Sequence, residues 1–331
     1  MKLGFSTPVF VAALAAAALS LPAAAETHLD IVTFGGTSNL PIWVAKDKGL
    51  FAKQGLDVTQ DITKGSVAEI QNLMAGKYQI GSTSFDNSIA YTEGQGDVAI
   101  DNYDIVGIAG VHSGMNSVVV RPEIKSYADL KGKVAASDAL NSGYGVMLFA
   151  ILDKHGLKLN RDYTALAVGS GPNRLEAMQE GKAHVAALSA PEDIKAKNEG
   201  YNILEDAVTG LGRPYQGSAY VARRAWLKGH EQETVAFIRA IMAANDLIFT
   251  DKPTAVSVLK AHVKGLSDGD ADIVYAALTN GKGGLNRHAE INIEGVKTLL
   301  ALRSQYSEPK KNLSDPNKYV DLSYHEKAAR K

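Results

Sequence analysis

Cysteine is missing from all 331 residues, which removes disulfides, thiolate metal sites and cysteine nucleophiles in one step. An excess of charge of either sign is missing as well: 35 Lys and Arg stand against 36 Asp and Glu. There is no basic stripe with interleaved aromatics, so nucleic acid is not an expected partner. The 8 His are scattered without metal-ligand spacing, and neither H-E-x-x-H nor a P-loop occurs. No catalytic or metal-binding residue is therefore assigned, and no cofactor is expected. Apolar runs long enough to cross a membrane are absent too. The nearest approach, Val9 to Leu21, is short, rich in alanine and followed by Pro22.

That run reads as an export signal. Lys2 gives a thin positive start, and Ala23-Ala24-Ala25 before Glu26 forms an A-x-A cleavage site. An uncleaved anchor is the alternative; no cysteine stands at the junction to carry a lipid, so no direct membrane anchor is expected. Cleavage after Ala25 leaves 306 of the 331 residues, enough for about two domains. A chain of that size buries roughly three quarters of its unfolded surface and needs no covalent staple.

The mature chain opens on a strand, turn, helix and strand. Leu29 to Phe34 is apolar and β-branched, and Gly35-Gly36 stops it. Ser38 or Asn39 supplies an N-cap oxygen, and Pro41 sits just inside the helix, where its missing N–H costs nothing. Leu40, Trp43 and Val44 share one face, which places Trp43 in the core. Gly49 ends the helix, Gly55 ends a further turn, and Leu56 begins the second strand. The pattern then repeats. Gly65-Ser66 opens a helix ended by Gly76, and strand Gln79–Ser82 leads through Thr83-Ser84-Phe85-Asp86-Asn87 into a helix from Ser88 to Gly94. Ile105 to Val111 and Ser117 to Val120 are buried-strand runs on either side of a crossing. Helix Val146–His155 follows Asn141-Ser142-Gly143-Tyr144-Gly145. Strand Tyr163–Val168 runs into Gly169-Ser170-Gly171, and strand His184–Leu188 into Ser189-Ala190-Pro191. Gly212 to Gly217 is the return crossing, followed by strand Ser218–Ala222. Helices are expected at Gln232–Phe249, Pro253–Val263, Asp268–Thr279 and Ile293–Tyr306, and a loosely ordered polar tail from Glu308 onward.

Three segments carry a family resemblance. Pro41 followed by Ala45-Lys46-Asp47-Lys48-Gly49-Leu50-Phe51-Ala52-Lys53-Gln54-Gly55-Leu56-Asp57-Val58 resembles the opening of periplasmic solute-binding proteins for nitrate, sulfonates and taurine, the capturing subunits of ABC importers. The stretch Arg121–Lys133 (RPEIKSYADLKGK) and the run from Leu175 to Pro191 are similar to two later segments of that family. The resemblance implies an α/β fold of the two-domain, type II periplasmic-binding kind, each domain a mixed sheet flanked by helices, with the ligand cleft between them. Residues 26–112 with 217–331 would form domain I, and 113–216 domain II. It also implies a monomer in the periplasm, with a small-molecule ligand and a membrane permease as partners.

By that topology six strand-to-helix turns, three per domain, converge on the cleft, and their free N–H groups and positive dipole ends are suited to an anion. Candidate ligand contacts are Thr37, Ser38, Asn39, Ser66, Ser84, Phe85, Asp86, Asn87, Ser142, Gly143, Tyr144, Ser170, Ser189, Glu192 and Tyr215. Each has a plainer reading. The serines cap their own helices, and Phe85, Tyr144 and Tyr215 either stack on a ring or pack in the core. Asp86 and Glu192 are helix caps, or else they face the cleft, repel an anion and favour an amine, amide or hydroxyl. His112 and Arg213 fall at the crossings, where structural or exposed roles are expected, while Arg174 lies in a first turn within reach of an acid group. The ligand expected is a sulfonate or carboxylate; a heterocyclic or amine-bearing ligand such as a thiamine-pyrimidine precursor is the alternative. Pyrimidine synthases of thiamine biosynthesis, which resemble the same fold, carry a Cys-rich motif that this chain lacks, so an enzyme is not expected. A sensor for a membrane kinase remains a third class.

If the export signal is read correctly, the mature protein begins at Glu26. Mass spectrometry of material recovered from the periplasm should find residues 1–25 gone; their retention would remove the argument for export.

Overall fold

A computed structural model describes residues 26–330 together with Met1 and Gly4, so the export signal lies outside the described residues. From the start of that span the elements are β1 (Thr27–Thr33), α1 (Leu40–Asp47), β2 (Leu56–Ile62), α2 (Ser66–Met74), β3 (Ile80–Ser84), α3 (Phe85–Thr92) and β4 (Ile105–His112). A second series follows: β5 (Ser117–Val120), β6 (Val134–Ser137), α4 (Gly143–Lys154), β7 (Thr164–Ala167), α5 (Gly171–Gln179), β8 (Val185–Leu188), α6 (Glu192–Asn198), β9 (Asn202–Asp206) and α7 (Ala207–Leu211). The chain ends with β10 (Ser218–Arg223), α8 (Arg224–Leu227), α9 (Glu231–Thr250), α10 (Lys252–His262), α11 (Asp268–Thr279), α12 (Ile293–Tyr306) and α13 (Ser323–Ala329).

Two five-stranded sheets result, ordered β2-β1-β3-β10-β4 and β7-β6-β8-β5-β9. In each, three strands run parallel and are joined through helices, as parallel pairing requires. The other two strands complete the mixed sheet, with β10 antiparallel to β3 and β4, and β5 antiparallel to β8 and β9. The two sheets therefore share one topology. This is an α/β fold of the type II periplasmic-binding kind. The fifth strand of the first sheet comes from beyond the second, so the chain passes between the two lobes near residues 113–116 and 212–217.

Layering follows from burial. Every residue of β4 is buried, as expected for a strand covered on both faces. Apolar residues all round α4, from Val146 to Leu152, are buried. Such a helix belongs in an interior, and α4 lies against α3 and α12 on one side and β8 and α7 on the other. It is shared between the lobes.

Several sequence expectations need correction. Helices α3 and α4 each begin three residues earlier than expected, at Phe85 and Gly143, because strand β3 passes into α3 without a loop and Ser142 caps α4 by accepting from the N–H of Gly145 at 3.3 Å. Trp43 is only half-buried and stacks on His262, ring centroids 4.9 Å apart. The tail is ordered: Val320 bridges to Gly107 of β4, and Tyr319 and Tyr324 are buried. Buried Glu93 draws the tail in by accepting from Lys311 Nζ at 3.0 Å and Tyr319 Oη at 2.8 Å, and by pairing with Lys318. A few anchors outweigh the polar composition. Strand β9 and helix α7 had no expectation, since Asn202-Ile203-Leu204-Glu205-Asp206 is a short edge strand with polar ends.

Asp86 makes the largest correction. It neither caps α3 nor faces the cleft. Its Oδ2 accepts from Nε and Nη2 of Arg303 at 2.8 and 2.5 Å, and Arg303 is wholly buried. The same guanidinium donates to the carbonyl of Asn141 at 2.5 Å and to Ser307 Oγ at 3.1 Å, which ties α12 to the loop leading into α4. Removing one partner of a buried pair strands the other charge and typically costs about 3–5 kcal/mol. Arg303→Met is therefore expected to lose about that much in urea unfolding, and Arg303→Met with Asp86→Leu to recover part of it. Equal losses in the single and double variants would show that the pair carries no such energy.

Candidate ligand cleft

A cavity of about 110 Å³ lies between the lobes at the carboxyl ends of the parallel strands. An engineered apolar cavity of about 150 Å³ holds benzene, so the space suits a ligand near the size of one small ring. The first lobe contributes Phe34, Gly35, Ser38, Ile62, Thr63, Ser82, Ser84, Asn87, His112 and Ser218, and the second Asp138, Ser142, Gly143, Tyr144, Ser170 to Pro172, Arg174, Ser189 and Glu192. Met115 and Asn116 come from the first crossing. Strand-end geometry explains the set: each contribution comes from where a parallel strand hands over to a helix, or from a crossing.

The lobes meet around this space, and most of the helix N-termini already donate to the protein itself. Thr37 donates from its N–H and its hydroxyl to the carbonyl of Ala190, at 3.1 and 3.2 Å. At the start of α2, Ser66 N–H donates to Asp138 Oδ2 at 3.3 Å. The first N–H of α3 goes to the carbonyl of Gly217 at 2.9 Å, and that of α4 to Asn87 Oδ1 at 3.1 Å. Glu192 lies against the start of α5, where a Cβ on Gly171 would stand 3.3 Å from its Oε2. Helix α6 uses the carbonyl of Ser189, 2.9 Å from the N–H of Glu192. Four of the six termini expected to hold an anion thus donate an N–H to an acceptor from elsewhere in the protein, those at Thr37, Ser66, Phe85 and Gly143.

Positive charge comes instead from a side chain. Arg174 is 6% exposed, and its Nε and Nη1 donate to the carbonyls of Ala187 and Gly169 at 3.2 and 3.1 Å. Those bonds aim the fork and leave Nη2 for the cavity. Burial lowers its pKa, with Asp138 and Glu192 opposing, and a guanidinium stays charged under such a bias. Burial also raises the pKa of Glu192 toward the neutral acid, against the pull of Arg174. His112 is buried, and its Nδ1 accepts from the N–H groups of Gly114 and Met115 at 3.1 and 3.4 Å. That fixes the ring proton on Nε2, which lies 3.4 Å from Tyr144 Oη. Desolvation pushes the His112 pKa down to about 4 and the Tyr144 phenol up to about 12, so both are neutral. Tyr144 Oη lies 2.9 Å from Ser218 Oγ, while the buried hydroxyl of Ser84 neighbours that of Tyr215.

Of the residues singled out from sequence, Ser38, Ser84, Asn87, Ser142, Gly143, Tyr144, Ser170, Ser189 and Glu192 line the cavity. Thr37, Asn39, Ser66, Phe85, Asp86 and Tyr215 are outside its wall. Thr37 and Ser66 spend their donors on the other lobe, and Asn39 turns its amide back to the carbonyls of Phe34 and Gly36. Phe85 and Tyr215 are core side chains. Among the cleft serines, Ser142 forms its expected cap; Ser38, Ser66 and Ser189 do not cap their helices by side chain. Arg213 is exposed as expected, whereas His112, Arg174 and Asp138 join the cavity. The usable signal was position: Asp138 directly follows β6, as Phe34 follows β1. One G-x-S-x-G spelling occurs, Gly265 to Gly269, but it joins α10 to α11. There Ser267 accepts from the N–H of Asp270 as a helix cap, in place of the strand-to-helix elbow that a nucleophile needs.

Comparison with known proteins gives a family and a fold. The family described as NMT1/THI5 like matches residues 37–255. The protein YtlA of Bacillus subtilis (strain 168), named as a candidate binding protein, is 23% identical over 244 residues, 72% of this chain and 70% of that one. The 4-amino-5-hydroxymethyl-2-methylpyrimidine phosphate synthase of Uromyces fabae is 28% identical over 231 residues, 64% of each chain. Among solved structures, the alkanesulfonate-binding protein SsuA of Xanthomonas axonopodis pv. citri, bound to MOPS, superposes with a TM-score of 0.72 at 18% identity, covering 91% of this chain and 100% of that one.

A histidine buried neutral has a sign that can be checked. Between pH 6.5 and about 4 the unfolded chain takes up a proton that folded His112 refuses, so stability falls with pH across that window, by about 3 kcal/mol at most. Asp193, whose carboxyl is held up at about 6 by burial, acts in the opposite direction. Urea unfolding of wild type and His112→Gln at pH 7 and pH 4.5 separates the two, since Asp193 is common to both. The variant should lose less stability on acidification; an equal loss would refute the neutral assignment.

Proposed function

Because the chain belongs to the NMT1/THI5 like family, we propose that it is the extracytoplasmic solute-binding subunit of an ABC importer, capturing a small polar heterocycle that carries both hydrogen-bond donors and acceptors. It works in the periplasm after loss of residues 1–25 and hands its ligand to a membrane permease. Residues 26–112 with 217–331 form one domain and 113–216 the other, hinged at the two crossings, so that ligand capture closes the cleft.

The observation that supports the ligand class is the charge pattern of the cavity. One guanidinium, Arg174, faces two carboxyl groups, Asp138 and Glu192, and four of the six helix N-termini already donate to the protein itself. A sulfonate or carboxylate would add a full negative charge where the existing charges already balance or run negative. A ring nitrogen or carbonyl accepting from Arg174 Nη2 or His112 Nε2, with an exocyclic amine donating to Glu192 or Asp138, satisfies both signs. Phe34, Ile62, Met115 and Pro172 supply apolar walls for the ring. The pyrimidine chemistry in the name of the Uromyces fabae relative lends the same direction. A synthase reading on that relative finds no cysteine in this chain to match the motif of the pyrimidine synthases.

The organic-anion reading is the second one, favoured by Arg174 itself and by the sulfonate ligand named for SsuA. A thermal-shift panel of an aminopyrimidine, an alkanesulfonate, a carboxylate and nitrate decides between them. Ligand at 100 times its dissociation constant adds about 2.7 kcal/mol to stability. The aminopyrimidine should raise the melting temperature, and Arg174→Gln or Glu192→Gln should weaken it about tenfold or more. A response to sulfonate or carboxylate alone would establish the anion reading.

A further inference from the structure

We propose that Asp138 is the specificity-determining residue that bars simple anions from this cleft: the chain's own carboxylate stands where a ligand's acid group would. The inference rests on the solute-binding reading of the cleft, though not on the identity of the ligand.

Position comes first. Asp138 follows β6 directly and lines the cavity while reaching across to the other lobe. Its Oδ2 accepts from Ser66 N–H at 3.3 Å, and its Oδ1 lies 3.3 Å from where a Cβ on Gly65 would be. The carboxylate therefore lies over the opening turn of α2, a helix of nine residues whose N-cap, Gly65, brings no side chain of its own. That turn presents unpaired N–H groups and the positive end of a dipole, and Asp138 fills it from the other lobe.

Independent features mark the adjoining space as built for a ligand. Arg174 is buried with its fork aimed into the cavity and within electrostatic reach of Asp138. Ser84, 3% exposed and next to Tyr215, lines the cavity, and its hydroxyl comes close to Gly143. Gly143 opposite lacks the Cβ that would collide with that hydroxyl. Donors suited to an acid group are thus present, and the carboxylate of Asp138 sits among them. An anion entering here must either displace Asp138 from α2 or settle beside a like charge.

A purely structural latch makes a different forecast. If Asp138 only fastened the lobes, removing it would weaken closure and with it the binding of every ligand. As a specificity residue, its removal must improve the binding of anions. Methanesulfonate, titrated calorimetrically into the full chain, reads the difference. Asp138→Asn keeps an oxygen for Ser66 N–H and removes the charge; Asp138→Ser removes the charge and most of the bulk. Both variants should bind methanesulfonate at least tenfold more tightly than wild type, and adding Arg174→Gln should abolish the gain. Should the Asn variant fail to fold by circular dichroism, the Ser variant carries the same comparison. Equal affinity in wild type and variants, weaker binding in the variants, or a gain that survives loss of Arg174 would each overturn the proposal. The aminopyrimidine panel is read separately, so a failed ligand class with a methanesulfonate gain leaves this inference standing, and the converse leaves only the ligand class.

Discussion

Helices that begin at one cleft bring backbone N–H groups that their own turns cannot bond. Six do so here, and burying those groups unpaired would cost about 1–3 kcal/mol each. The chain meets part of the demand from several sources: the carbonyls of Ala190 and Gly217, the amide oxygen of Asn87, and the carboxylate of Asp138. Three of these four acceptors cross between lobes, those that reach Thr37, Ser66 and Gly143. Satisfying the helix starts and closing the cleft are to that extent the same event. The cavity's character follows, since dipole ends spent on the protein leave a ligand to side chains.

The loop between β6 and α4 holds much of this together. With the first turn of α4 it carries Asp138, Ser142, Gly143 and Tyr144 into the cleft, and its far side is gripped by Arg303 through the carbonyl of Asn141 and by Asp97 through the N–H of Asn141, at 2.5 and 3.2 Å. The buried Arg303–Asp86 pair thus acts through position: it fixes where the loop sits, and the loop fixes four cavity residues. Because its Oδ2 is spent on Arg303, a carboxylate at a helix start in the right part of the sequence proved structural.

How much of the candidate site was legible depended on backbone versus partner. Periodicity and turn residues placed Ser38, Ser84, Ser142, Ser170 and Ser189 near strand ends, and all five line the cavity, because that location is a property of the strand-to-helix handover alone. Asp86 went astray because its partner lies 217 residues away on α12, beyond the reach of any local pattern. Arg174 and His112 were discounted for a similar reason. A first-turn arginine looks exposed until the carbonyls of Ala187 and Gly169 are found to aim it inward. A histidine at a crossing looks peripheral until two backbone N–H groups claim its Nδ1.

Local chemistry, then, determined the alternation of strands and helices, the left-handed glycine stops such as Gly49, Gly55, Gly76 and Gly181, and a family-like opening segment; these depend on residues close in sequence. The absence of cysteine excluded whole classes of chemistry without any fold. Tertiary structure alone decided that β10 enters the first sheet antiparallel between β3 and β4, that the polar C-terminal segment is anchored through Glu93 and Tyr319, and that the cleft's positive charge is a buried guanidinium set among carboxylates. Those outcomes are pairings between distant residues, and their energies exist only once the chain has brought the partners within bonding distance and out of water.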